Sequence, residues 1–356
     1  MKLTDIMNDL TGNDPLNSSL PVLSEMECVA IASQQFGLDR PTARLLTAER
    51  DLNLLMTAGE GRQYVMKVSN AAEAPEATRF QTQALCHVEM TDPDLPVPRV
   101  TRTRDGETEA RITASDRQEH TVRLLSFLPG RPLYTVSHTP AQRRNLAACL
   151  ARLDLALESY HSAFYQEDLS WNIANLLRLE PLLTHLEENQ RGIVAAVMDK
   201  FATEVVPALS SLRRQVIYND LNFHNVLVDG NDSDIISGII DFGDIVQAPL
   251  INDVAIACAY QFGKDADPLV PVGEFIAAYH GRLPLTATEA TLLPTLIAAR
   301  LATTVLITGW RARRYPHNSE YILRNNPLSW AALHVLAEKS DSQLIAWALS
   351  CCGMEI

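Results

Sequence analysis

Apolar residues recur at two different spacings along the chain, and the spacing changes near residue 130. Before it, Ser24 precedes an amphipathic stretch that runs to Phe36 and is followed by Gly37, which predicts a capped helix. Residues 43–46, 52–57 and 63–68 are short apolar segments separated by Glu49-Arg50-Asp51 and Gly59-Glu60-Gly61. That spacing and turn chemistry predict three antiparallel strands joined by hairpins. Residues 78–89 place Phe80, Ala84, Leu85 and Val88 on one helical face, and a proline-rich break over 92–98 stops them. Further strands are expected at 100–103, 110–114 and 121–127, after which Leu128-Pro129-Gly130-Arg131-Pro132 makes a stiff turn. Residues 1–128 are therefore expected to form a small β-rich lobe and 129–356 a larger helical one.

Past the turn, helical periodicity dominates. Helices are predicted over 140–159, 173–187, 193–210, 251–261, 270–281, 286–311 and 327–349. One stretch departs from this pattern. Val216-Ile217, Val226-Leu227-Val228, Ile235-Ile236 and Gly238-Ile239-Ile240 are short, β-branched and bounded by turn residues, so strands are expected there with polar groups displayed between them. The fold class is α+β.

Charge narrows the partners. The 356 residues carry 43 acidic and 30 basic side chains, a formal net charge of −13. A polyanion such as nucleic acid or an anionic membrane is repelled by that balance, whereas cationic or zwitterionic small molecules suit it. The six cysteines are scattered, without C-x-x-C or zinc spacing. The first residues carry no signal-peptide pattern and no apolar run reaches about 18 residues. A cytoplasmic protein is expected.

The polar residues among the 215–242 strands carry the chemistry. Tyr218-Asn219-Asp220-Leu221-Asn222-Phe223-His224-Asn225 leads into Val226-Leu227-Val228, and Ile239-Ile240 leads into Asp241-Phe242-Gly243-Asp244. An Asp, an Asn five positions on that opens a strand, and then Asp-Phe-Gly after a further strand is the spacing of kinase-fold catalytic and metal-binding loops. Asp, Asn and Gly are also common turn formers, but turns rarely repeat them in this order between strands. Asp220 is the candidate to orient an acceptor hydroxyl and take its proton. Asp241 and Asn225 are the candidate Mg²⁺ ligands, since a hard cation prefers carboxylate and amide oxygens.

A cation for the phosphates is expected from Lys67, at an alternating polar position of the third strand. Its helix partner is expected to be Gln83, which stands where an acidic residue is usual. No G-x-G-x-x-G lies between the first two strands; the turn reads Thr47-Ala48-Glu49-Arg50-Asp51-Leu52-Asn53. Backbone amides of this turn, with Asn53, are the candidates to cover phosphates.

Taken together, these stretches resemble the aminoglycoside phosphotransferase or choline kinase superfamily, and within it the hydroxylysine-kinase type. The resemblance rests on 49–55, 94–98, 122–130, 219–228 and 240–244 and spans nearly the whole chain. It implies a two-lobed protein-kinase-like fold, ATP (or GTP) bound in a cleft against backbone at Ser126 to Leu128, and Mg²⁺-dependent transfer to a hydroxyl of an amine-bearing metabolite. It also implies a pyridoxal-phosphate enzyme as a pathway partner. Tyr218 and Asn222 stand where histidine is common in the superfamily, and Phe223 replaces a polar residue.

A primary-amine or amino-acid acceptor calls for carboxylates for its ammonium and an arginine for its carboxylate. The candidates are Asp244, Asp154, Trp171, Arg300 and Trp310. The expected acceptor is 5-hydroxylysine, with homoserine, choline, ethanolamine or an aminoglycoside as alternatives. Gln83 and Tyr218 motivate a rival of another class, a nucleotide- or partner-binding module without turnover.

Overall fold

The computed structural model describes residues 20–47, 51–115, 117–164, 169–263 and 267–355. The turn residues 48–50, expected to cover phosphates, and the first residues of the chain lie outside them. The chain divides into two compact units. The first reaches Pro129 and also takes in a segment from His161 and Gly238–Gly243; the second holds Gly130–Tyr160, the chain up to Ser237, and Asp244 onward.

The first unit is built on a six-stranded antiparallel sheet. Its strands are β1 (Thr42–Leu46), β2 (Leu52–Thr57), β3 (Gln63–Val68), β4 (Val100–Thr101), β5 (Ala110–Thr113) and β6 (Glu119–Ser126). Their order is β1-β2-β3-β6-β4, with β5 also pairing β6. The Glu25–Phe36 helix starts at a capping box, in which Ser24 and Glu27 satisfy each other's backbone amides, and ends at Gly37 in the left-handed region (φ 74°). Its Cys28, Ala32 and Phe36 pack with Leu54, Met56, Met66, Val122 and Leu124 of the sheet. Burial alternates along β3: Tyr64, Met66 and Val68 point inward, so Lys67 is carried to the other face. The Pro75–Thr91 helix buries Phe80, Gln81, Ala84, Leu85 and Val88.

In the second unit the Ala287–Arg314 helix is the central element. It opens on a Thr286–Glu289 capping box and packs against Ile251–Ala259, Asn326–Ala337 and Asp341–Cys351. By length and composition it could cross a membrane, but 89% of its apolar window is buried inside the protein. It is the core helix of this unit. The short strands β8 (Arg214–Ile217) and β10 (Val246–Pro249) pair antiparallel with Ile217 opposite Val246. The chain therefore leaves one point for its polar excursion and returns beside it. Within the excursion, β9 (Val226–Val228) pairs with β7 (Arg131–Pro132). Gly130 has φ 154°, and a Cβ there would come within 2.8 Å of the Val228 carbonyl oxygen, so a side chain has no room.

Three predicted helices are divided or altered. The 327–349 stretch is two helices, because Ser340 and Gln343 form a capping box that starts a new one. Ile173–His185 is wound as tighter 3₁₀ turns with Pro181 inside. The 193–210 stretch passes through a π turn at Phe201–Val205 and ends in 3₁₀ geometry at Leu209–Ser211.

Candidate active site

The first unit gathers a lysine and two carboxylates. Lys67 Nζ lies 3.1 Å from Asp241 Oδ1 and 3.7 Å from Asp51 Oδ2, and its side chain is only 11% exposed. Asp241 adopts φ 60°, uncommon for a residue with a side chain, and its Oδ1 also accepts the Gly243 amide at 3.3 Å. Asn53 stands opposite Lys67 across β2 and β3, with its buried Oδ1 unpartnered among the described residues.

The helix residue that reaches this cluster is Gln81. Gln83 lies on the exposed side of the Pro75–Thr91 helix, so the expected Lys67–Gln83 pairing is replaced by pairing with Asp51 and Asp241. Gln81 donates to the Gly243 carbonyl oxygen and to Glu73, both at 3.1 Å, and accepts from Arg123 Nη1 at 2.9 Å. Its position was readable: Gln81, Ala84, Leu85 and Val88 stand at i, i+3, i+4 and i+7, one helical face, whereas position 83 falls off it. Ser126 ends β6, its Oγ accepting the Arg99 amide at 2.9 Å, and Leu128 lies just beyond, half-buried.

In the second unit the loop after β8 is held from beneath. Asp253, in the first turn of the Ile251–Ala259 helix, accepts the backbone amides of Tyr218 and Asn219 at 2.8 Å each. Asn219 takes φ 67°, a conformation its residue type tolerates, and donates to the Asp244 carbonyl oxygen at 3.1 Å. The next residue, Asp220, is thereby presented to three donors. Its Oδ1 accepts from Asn222 Nδ2 at 3.0 Å and Arg300 Nη2 at 3.2 Å, and its Oδ2 accepts from Asn225 Nδ2 at 2.6 Å. Because Asn225 spends its amide nitrogen on Asp220, its amide oxygen is directed elsewhere.

Arg300 is enclosed beside Asp220. It lies 2% exposed on the core helix, its guanidinium 5.3 Å from the Trp171 ring centroid, and donates to the Trp171 carbonyl oxygen at 3.1 Å. Asp220, Trp171 and Arg300 are thus brought together. Asp244 is nearly buried, and its charge adds to the field that stabilises the Arg300 cation.

Two candidates stand apart. Asp154 is wholly enclosed, accepting the Tyr279 hydroxyl at 2.6 Å, with burial and then Asp253 pushing its carboxyl well above the usual range. It shares a helical face with Leu150, Ala151 and Leu157, all buried. Trp310 lies ten residues beyond Arg300, about 15 Å along the helix, and stacks with Arg314 at 5.9 Å.

Residues 43–291 match the family model described as the phosphotransferase enzyme family. The chain belongs to that family. Hydroxylysine kinase of Mus musculus is 30% identical over 342 residues, covering 90% of each chain. Homoserine kinase of Methylobacillus glycogenes is 29% identical over 301 residues, covering 82% of this chain and 86% of that one. Among solved structures, a microcompartment-associated aminopropanol kinase superposes with a TM-score of 0.67 at 17% identity, covering 92% of this chain and 99% of that one. The fold is that of the small-molecule kinases, an antiparallel sheet unit and a larger helical unit, as the sequence predicts.

Proposed function

We propose that the protein is a nucleotide- and Mg²⁺-dependent kinase that phosphorylates a hydroxyl of an amine-bearing small molecule, with 5-hydroxylysine the leading acceptor. The observation that carries this reading is the Asp220 carboxylate, fixed by Asn222, Asn225 and Arg300, in a chain aligned along 90% of its length with a hydroxylysine kinase. In this reading Asp220 receives the hydroxyl proton of the acceptor on a carboxylate whose orientation is already set, so little reorganisation accompanies transfer.

The two proposed ligands, a carboxylate and an amide oxygen, are of the kind a hard divalent ion prefers. Asp241 offers a half-exposed carboxylate and Asn225 an amide oxygen turned away from Asp220. Among the described residues no group of three or more His, Cys, Asp or Glu forms a metal cage. Mg²⁺ takes one or two protein carboxylates and completes its shell with phosphate oxygens and water. Bound there with nucleotide, the ion would neutralise charge on the phosphates. Lys67 would hold the phosphates as a point charge, Asn53 on the neighbouring strand would cover them by donating from its amide N–H, and the chain at Ser126 to Leu128 would meet the nucleotide base. ATP is the expected donor, with GTP the alternative. Asp244 and Trp171 would line the acceptor side. A pyridoxal-phosphate enzyme that handles the phosphorylated amine is the expected pathway partner, and the reaction is expected in the cytoplasm.

The test is nucleoside diphosphate release with ATP or GTP and Mg²⁺ against 5-hydroxylysine, homoserine, choline, ethanolamine and kanamycin. Turnover confined to 5-hydroxylysine supports the reading in full. Turnover on another member keeps the kinase and replaces the acceptor. Silence across the panel, with nucleotide still bound, would favour the binding module instead.

A further inference from the structure

We infer that Arg300 is a positioning residue for Asp220: a buried guanidinium that sets the carboxylate's direction, rather than a contact to the acceptor. The inference rests on the reading of Asp220 as the group that receives the acceptor's proton. Both Nη atoms of the guanidinium are engaged. One Nη donates to the Trp171 carbonyl oxygen at 3.1 Å; the other donates to Asp220 Oδ1 at 3.2 Å and approaches the Tyr260 hydroxyl at 3.5 Å. One face is set against the Trp171 ring, with the guanidinium carbon 5.3 Å from its centroid. Nε is buried and has no partner among the described residues. At 2% exposure, no edge remains for an incoming carboxylate.

The electrostatics agree with the geometry. Burial works against the Arg300 charge, but Tyr260 and Asp220 outweigh it and hold the guanidinium firmly cationic. The core helix that carries Arg300 is itself almost fully buried there, so the cation cannot swing away. Its rigid fork is therefore spent on one side chain carboxylate and one backbone carbonyl that belong to separate loops, which ties the loop holding Trp171 to the loop holding Asp220. A lysine could supply the charge but not both directions.

The experiment compares Arg300→Ala, Arg300→Lys and Asp220→Asn in the full-length protein. Misdirecting a reacting group by about 1 Å costs on the order of 10²-fold in rate. Arg300→Ala is therefore expected to lose about that factor in kcat while KM for nucleotide and for acceptor stays within about twofold. Low-millimolar guanidinium is expected to restore part of that activity, and Arg300→Lys to recover less than the rescued Ala variant. A rise in acceptor KM at unchanged kcat would overturn the inference in favour of a substrate contact. A loss of kcat that guanidinium cannot restore in folded protein would overturn it too. If Arg300→Ala does not fold, the Lys variant decides alone: kcat within about twofold of wild type contradicts the need for a fork. Asp220→Asn keeps the two failures apart, because activity persisting in that variant refutes the role of Asp220 itself.

Discussion

Lys67 bridges two carboxylates from opposite directions in the sequence, Asp51 in the turn before β2 and Asp241, 174 residues further along. Among the described residues, the lysine is thus paired without an acidic partner on the Pro75–Thr91 helix. If it serves the phosphates, Lys67→Met should lower kcat/KM for nucleotide by about 10²- to 10³-fold, the usual cost of one preorganised electrostatic donor. Lys67→Arg should recover little, since a planar guanidinium does not substitute for a point charge set between two carboxylates. Steady-state kinetics at varied nucleotide, with circular dichroism to confirm folding, check this; a loss under fivefold for the Met variant would remove Lys67 from the site.

Gln81 and Gln83 should behave oppositely although they are two residues apart. Truncating Gln81 leaves the buried Arg123 Nη1 and the Gly243 carbonyl oxygen without their partner, a cost of about 1–3 kcal/mol. Gln83→Ala, on the exposed face, should stay within about 0.5 kcal/mol. Urea unfolding of the two variants measures the difference, and equal effects would contradict the orientation of this helix.

The enclosed Asp154 and Asp253 set a pH dependence. Burial pushes both carboxyls up, Asp253 to about 6, so the native protein retains protons that an unfolded chain releases above about pH 4. Stability from this pair is therefore full below about pH 4 and is lost as pH rises, through about 6 for Asp253 and higher for Asp154. Asp154→Asn keeps an oxygen for the Tyr279 hydroxyl and supplies an amide to Asp253. The variant should gain stability relative to wild type as pH climbs from about 4 to 7. Unfolding free energies across that range test the sign: a constant difference would mean that the pair does not titrate with folding.

Much of this was legible before the structure because local chemistry marked it. Ser24, Gly37 and the glycine turn at 59–61 punctuate the first unit, and the alternation of β3 puts Lys67 opposite its core face. The Asp220 and Asp241 loops showed through their strand flanks. What escaped was set by tertiary surroundings. The charge of Asp154 suggests a ligand, whereas its neighbours at i−4, i−3 and i+3 place it inside. Arg300 was ambiguous, since a charged residue in an apolar helix reads the same whether it holds a substrate or another side chain. The role of Asp253 had no sequence mark, because it arises from two backbone amides 34 and 35 residues away. Helical periodicity ran through 327–349 without a break even though the Ser340-x-x-Gln343 cap was present to signal one.

The most direct test of the central claim is ³¹P NMR of the reaction of 5-hydroxylysine, ATP and Mg²⁺ with wild-type protein and with Asp220→Asn. The account predicts a new phosphomonoester resonance growing with ADP in the wild type, and its loss in the variant with nucleotide binding retained. A phosphomonoester formed equally by the Asp220→Asn protein would contradict the account.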